Sequence, residues 1–289
     1  MKNPDRNAAL KAMFTEKRTI VAPGAYDALS AMLVEEAGFD VVYIGSYGTA
    51  ASGYGLPDVG LLSLDELAGH AKAVVGAVKV PVIADAEGGF HDPANIWRTV
   101  HAFEDAGVSA IHIEDHAGGK HTELPQKLIS LDLMLAKLRA ALDARTDPNF
   151  QIIARTDAIW ATRNVEEAVL RVRAFSDLGV DMVFPTGADP QTVQLMRAQQ
   201  SKKVVLIQTP DGPSFAATGA GDLVLHYGFC LYAASKGIAE ALRRFRKSFR
   251  PEDVADLLEN AGTFESRFGY ESFSNRSRKY SAQDNDGPD

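Results

Sequence analysis

Cysteine is almost missing from this chain: of 289 residues, only Cys230 carries a thiol. One thiol excludes an intramolecular disulfide and a cysteine-cluster zinc site, and gives no sign of an oxidising compartment. Long apolar runs are missing as well. No stretch reaches 18 residues, so no membrane-spanning helix is expected. The start, Met1-Lys-Asn-Pro-Asp-Arg, lacks the apolar segment of a secretory signal. Basic residues are outnumbered, 30 Lys+Arg against 38 Asp+Glu, for a net charge of −8. That balance argues against a nucleic-acid surface. No linker rich in Pro, Gly or Ser divides the chain. What remains is a composition of 46% hydrophobic and 24% charged residues, long enough to bury a core unaided. The expectation is a cytoplasmic, metabolic-type protein with one domain over 1–279 and a polar tail over 280–289, without nucleic-acid or membrane partners.

Short β-branched runs alternate with longer helical patterns. Strands are expected at Thr19–Ala22, Val41–Gly45, Val80–Ala84, Ala110–Glu114, Gln151–Arg155, Met182–Phe184, Val204–Ile207 and Leu223–Leu225. Their nearly continuous apolar character suits parallel strands buried on both faces. Helical spacing marks Asp27–Ala37, Leu64–Val78, Asn95–Ala106, Leu131–Ala144, Val165–Leu178 and Pro190–Gln199. Gly38, Gly107 and Gly179 each stand just past a helical pattern and shortly before a strand, where a left-handed helix stop belongs. Eight such units fit a closed α/β barrel, the (β/α)8 TIM-type fold, better than a doubly wound sheet. Further helices follow at Tyr232–Phe249 and Pro251–Asn260. The basic stretch Arg243–Lys247 reads as a solvated helix face or a contact between subunits.

In such a barrel the carboxyl ends of the strands carry the chemistry, and hydrophilic residues collect there. The third strand runs into Asp85-Ala-Glu87-Gly-Gly, the fourth into Glu114-Asp115-His116, the fifth into Arg155-Thr-Asp157. Asp85, Glu87 and Glu114 are hard oxygen donors converging from rigid strands, a set suited to Mg2+ or Mn2+. The competing reading is a structural network in which Lys120 and Arg155 neutralise the acids. Gly45, Gly48 and Gly88-Gly89 allow a backbone to approach an anion closely. His112, inside the fourth strand, reads as a packed residue. His116 and His121 flank a Gly-rich loop as acid/base or substrate contacts. Cys230 has no basic partner beside it in sequence and reads as an inert thiol.

Pro23-Gly-Ala-Tyr26-Asp-Ala-Leu-Ser-Ala31, Gly45-Ser46, Pro81-Val-Ile-Ala-Asp85-Ala-Glu-Gly-Gly, Ile113-Glu-Asp115 and Ile152-Ile-Ala-Arg155-Thr-Asp157 together resemble the isocitrate lyase/phosphoenolpyruvate mutase superfamily. The resemblance runs over residues 8–250 in order. It implies an α/β barrel, a homotetramer built from dimers that exchange a C-terminal helix, Mg2+, and small 2-oxo- or 2-hydroxy-acid substrates passing through an enolpyruvate-like intermediate. Residue by residue, Asp85 matches the principal metal carboxylate. Glu87 stands where the family more often has Asp, and Glu114 matches the other acid around the metal. Tyr26, Ser46, Tyr47, Gly48 and Arg155 match substrate-holding positions. Asp58 resembles the acid near the metal's water shell, and Lys120 matches the lysine opening the gating loop.

The departures bear on reaction type. The isocitrate and methylisocitrate lyases place Lys-Lys/Arg-Cys-Gly-His in that loop, its cysteine protonating the departing enolate. Here the loop reads Gly119-Lys120-His121-Thr122-Glu123-Leu124-Pro125, without cysteine. The phosphonate-forming mutases have Asn where Thr122 stands, and Lys-x-Thr is similar to the phosphonopyruvate hydrolases. The mutases' histidine on the sixth strand is replaced by Phe184-Pro-Thr186. The leading expectation is a Mg2+-dependent lyase that cleaves a C–C bond of, or decarboxylates, a small dicarboxylic acid. Lys120, His121 or Thr122 then moves the proton as the 118–128 loop closes. P–C bond chemistry is the alternative, and a non-catalytic barrel binding a 2-oxo acid is the third reading.

Overall fold

The apolar runs form eight parallel strands: β1 (Ile20–Ala25), β2 (Val42–Ile44), β3 (Val82–Asp85), β4 (Ala110–Glu114), β5 (Gln151–Thr156), β6 (Met182–Pro185), β7 (Lys203–Ile207) and β8 (Leu223–His226). In the computed structural model, which describes residues 3–16, 18–212 and 214–281, they close into one barrel in sequence order. Closure is made by β1 on β8, from Ile20 opposite Leu223 to Pro23 opposite His226. The doubly wound alternative has no such pairing.

Before and between the strands lie α1 (Asn3–Met13), α2 (Ala28–Glu36), α3 (Ser46–Thr49), α4 (Leu64–Ala77), α5 (Trp97–Ala106), α6 (Leu131–Ala144), α7 (Ala158–Thr162), α8 (Val165–Leu178), α9 (Pro190–Arg197) and α10 (Phe215–Thr218). After β8 come α11 (Phe229–Ser248), α12 (Ala261–Ser266) and α13 (Tyr270–Tyr280). Local chemistry sets their ends. Asp27 and Ser63 form capping boxes on α2 and α4. Gly107 and Gly179 close α5 and α8 at φ 87° and 101°, a conformation with no steric penalty for glycine.

Strand alternation sorts the core into two layers. Ile20, Ala22, Tyr43, Ile83, Ala110, Ile153, Met182, Phe184, Val205, Leu223 and Leu225 fill the barrel interior. The intervening residues, such as Val42, Ala84, Ile111, Ile113, Ile152 and Val204, pack outward against the helices.

The contacts divide the chain into two compact units, Met1–Tyr232 and Ala233–Asp289. Within the second unit, Arg244 pairs with Asp256, and Arg267 with Glu259 at 2.6 Å. The basic stretch is exposed, with Arg243 paired to Glu240 at 2.6 Å, in keeping with a solvated face. The helix expected over 251–260 is instead a 3-10 stretch, Pro251–Leu257, the tighter form that short segments adopt. Tyr280, expected to open the tail, ends α13; residues 282–289 lie outside the described residues. Among the described residues, no helix is long and apolar enough to cross a membrane.

Candidate active site

The interior alternation carries straight into the barrel mouth. Asp85 lies two residues beyond Ile83, Glu114 four beyond Ala110, and Arg155 two beyond Ile153. All three therefore point the way the interior residues do. Strand register sets Asp85 opposite His112 and Glu114 opposite Arg155. One ligand oxygen each from Asp85, Glu87 and Glu114 fall within 4.8 Å of one another. Glu87 reaches the group because its backbone takes a left-handed φ of 49°, which turns its N–H onto Asp85 Oδ1 at 2.8 Å. His121 is left-handed too, at 59°. Such outliers persist where surrounding structure holds them, and they gather at functional sites.

The loop after β4 folds over this group. Its neck is tied by Ala117 N–H to Lys127 O at 2.8 Å and Ile129 N–H to Asp115 O at 2.9 Å. From it Lys120 inserts, 6% exposed. Its Nζ lies 3.1 Å from Glu114 Oε1, 3.2 Å from Glu87 Oε2 and 3.7 Å from Asp58 Oδ2. Asp58 also faces His121 Nε2 at 3.3 Å. Ser46 Oγ stands between Asp58 Oδ1 at 2.9 Å and Asp85 Oδ2 at 3.0 Å, and its single proton serves one carboxylate at a time.

Arg155 directs Nε and Nη2 at Asp157, 2.8 and 3.2 Å away, and Nη1 at Glu114 Oε2 at 3.1 Å. With five donors on the guanidinium, one N–H remains on each of Nη1 and Nη2. His116 places Nδ1 3.1 Å from Asp157 and Nε2 3.0 Å from Gly118 O. Both ring nitrogens face acceptors, which only the charged imidazolium satisfies fully. The Asp157 charge accordingly raises His116 against the effect of burial.

Asp157 is thus matched, whereas Asp58, Asp85, Glu87 and Glu114 share Lys120 and part of Arg155. The shortage of positive charge appears in the acids' affinities for protons. Burial and the neighbouring Asp85 charge push Glu87 up to about 8. Burial raises Glu114 despite Arg155 and Lys120. Asp58 and Asp85 go the other way: burial opposes ionisation of both, but His121, Lys120 and the Ser46 hydroxyl outweigh it at Asp58, and the surrounding cations and the Glu87 N–H at Asp85. Lys120, disfavoured by burial, is held charged far above its ordinary range by Glu114, Asp85 and Glu87. Buried hard-oxygen donors with too little countercharge could hold a cation.

A cavity of about 330 Å³ opens onto this group, lined among others by Tyr47, Asp58, Asp85, Lys120, His121 and Arg155. Glu87, Glu114 and His116 line a second cavity of about 280 Å³, which also reaches Lys120. Ser46 lies behind the first cavity, bonded to two of its acids. Three expected residues are not brought in. Thr122 is exposed, and its hydroxyl donates to Gly119 O at 2.8 Å. Gly48 packs toward Tyr26, which a Cβ would meet at 3.4 Å, and neither lines the cavity. Cys230 is half-buried, and burial raises its thiol.

His112 is packed, as expected, stacked on Tyr43 and edge-on to Phe184. It is also part of the site, with Nδ1 3.5 Å from Asp85 and Nε2 3.0 Å from the Tyr43 hydroxyl. Burial pushes this imidazole down to about 4, so it is neutral near pH 7. Tyr43 and Trp160, both lining the cavity, are absent from the sequence-based expectation. Tyr43 was within reach of it, because it lies two residues before Gly45 on the interior alternation.

A family model described as phosphoenolpyruvate phosphomutase matches residues 10–245. A 2,3-dimethylmalate lyase from Eubacterium barkeri is 42% identical over 179 residues, 61% of this chain and 62% of that protein. The match thus spans somewhat less than two thirds of that relative's length. A 2-methylisocitrate lyase from Shewanella oneidensis is 30% identical over 271 residues, 90% of this chain and 92% of that protein. A solved phosphonopyruvate hydrolase, in complex with oxalate and Mg2+, superposes with a TM-score of 0.85 at 27% identity, covering 97% of this chain and 99% of that one. With a family match across nearly the whole barrel and 30% identity sustained along 90% of its length, the chain is an enzyme of the phosphoenolpyruvate phosphomutase family, within the isocitrate lyase/phosphoenolpyruvate mutase superfamily of lyases and mutases.

Proposed function

We propose that the enzyme is a Mg2+-dependent lyase that cleaves a C–C bond of, or decarboxylates, a small 2-oxo or 2-hydroxy dicarboxylic acid through an enolpyruvate-like intermediate. The observation that carries this reading is the convergence of Asp85, Glu87 and Glu114 within 4.8 Å beside an arginine with two donors still free. Their excess of negative charge fits a divalent cation, held by these three side chains directly or through water. When bound, it supplies Lewis-acid stabilisation of the negative charge that bond cleavage leaves on a substrate oxygen.

The chain's own groups do the rest. Arg155 offers its remaining Nη1 and Nη2 donors as a fork for a substrate carboxylate, with Asp157 and Phe184 fixing the plane of the guanidinium. The N–H groups of Ser46 and Tyr47, at the start of α3 beside the cavity, have no acceptor within that turn and suit an anionic oxygen. His121 and Asp58, 3.3 Å apart at the cavity, form a pair able to hold and deliver a proton. The 118–128 loop excludes water from the developing charge. Cytoplasmic location, expected from the composition, and a homotetramer, implied by the family resemblance, are part of the same proposal.

Incubation with Mg2+ and oxaloacetate, methylisocitrate, dimethylmalate or phosphonopyruvate, followed by NMR, tests the reading. Cleavage of one of the first three is expected, with loss of turnover and of metal binding in Asp85→Ala. Turnover of phosphonopyruvate alone would transfer the site to P–C chemistry, and full activity of Asp85→Ala would refute the metal assignment.

A further inference from the structure

His121 reaches Asp58 from the surface side of the cavity. Its side chain is 42% exposed, against 5% for Asp58. Its backbone is left-handed, at φ 59°, a conformation that a residue with a Cβ takes only at a cost. Burial alone does not aim this imidazole at the carboxylate. Two aromatic rings flank it instead. Trp160 stands 5.2 Å from the imidazole centroid with the planes at 59°, and Tyr47 stands 6.0 Å from it at 60°. These are separations at which aromatic rings attract one another.

Each flanking ring is itself held. Tyr47 meets Tyr227 and Tyr232 edge-on, at 5.4 and 6.2 Å. Trp160 lies three residues beyond Asp157, which opens α7, and that spacing puts both on one face. There Asp157 bonds His116 at 3.1 Å while the indole packs on the same imidazole at 5.4 Å. Behind α7, Gly187 approaches so closely that a Cβ on it would meet Trp160 N at 3.3 Å. Trp160 thus touches the loop twice, at its root through His116 and just past Lys120 through His121. Thr122, one residue on, turns back to Gly119 O. We propose that Tyr47 and Trp160 form an aromatic slot that holds His121 on Asp58, and that Trp160 is a positioning residue for the proton handled by that pair. The slot also sets which loop residue meets the acid, His121 and not Thr122. The inference rests on the reading of His121 and Asp58 as a proton-handling pair.

Trypsin reads whether the loop is seated, because the bond after Lys120 is open to cleavage only when that buried side chain leaves the acids. Where opening is fast relative to cutting, the cleavage rate follows the open population. Trp160→Leu should speed cleavage after Lys120 roughly three- to tenfold, the worth of an aromatic pair, and Trp160→Phe should recover most of the protection. In a His121→Gly background, the same Trp160→Leu change should alter the rate less than about twofold. The His121 imidazole C–H signals in the NMR spectrum, identified by their loss in His121→Gly, should shift in Trp160→Leu as the ring current of the indole is removed. Equal acceleration in both backgrounds, or unmoved His121 signals, would overturn the slot. Should Trp160→Leu fail to fold, Tyr47→Leu opens the slot from its other side and is scored by the same two readouts. Neither readout needs a substrate. Parent-like turnover of the four acids by His121→Gly would instead refute the proton-pair reading, and with it the part of Trp160 in the reaction, while the slot itself stands.

Discussion

Lys120→Met is the most informative single substitution. It keeps the length and most of the packing of the side chain and removes only the ammonium. That ammonium lies 3.1–3.7 Å from three carboxylates. A unit-charge pair at about 4 Å is worth roughly 4 kcal/mol at an effective dielectric constant near 20, offset by the desolvation of the lysine. Removing one partner from a buried ionic group typically costs about 3–5 kcal/mol. At roughly 2–4 °C per kcal/mol, the metal-free variant should melt on the order of 10 °C below the parent. Mg2+ should then stabilise the variant more than the parent, because Lys120 and the cation compete for Glu87 and Glu114. Thermal melts against Mg2+ concentration measure both effects. A metal-free midpoint within about 2 °C of the parent, together with an identical response to Mg2+, would refute the picture of a charge-starved cluster.

Arg155→Lys keeps the charge but loses the fork that grips Asp157 and Glu114 at once, so turnover should fall on the order of a hundredfold; parent-like kcat/KM would exclude that role. Gly24→Ala puts a Cβ 2.2 Å from Tyr227 O where β1 meets β8, and denaturant titration should show a loss of roughly 3 kcal/mol or more. Asp222, just before β8, is lowered against burial by the Val204 N–H and by Arg197 and Lys203. A depressed carboxylate stabilises the fold above its unfolded value, and that contribution is lost as pH falls. The melting gap between parent and Asp222→Asn should therefore narrow from pH 6 to pH 3; a constant gap would mean the ion pairs carry no proton linkage.

The alternation of apolar strands with amphipathic helices is written in the chain because parallel strands buried on both faces need continuous apolar runs. Val165–Leu178 and Leu131–Ala144 match their helices end to end for a related reason: their caps, Asn164 or Ser130 and, for the first, Gly179, are local chemistry. Asp85, Glu114 and Arg155 were legible at strand ends, and counting back by two leads from Glu114 to His112 and from Gly45 to Tyr43. The structure alone decided what depends on contacts distant in sequence. Barrel closure needed β1 to find β8 about 200 residues away. The loop could bring Lys120 to three acids while leaving Thr122 outside, a difference that neighbouring residues cannot express. The far side of the cavity, where Thr186, Leu206, Ile207, Thr209 and Tyr227 meet Trp160 of α7, likewise exists only once the fold leaves a space between residues that look like ordinary core in the sequence.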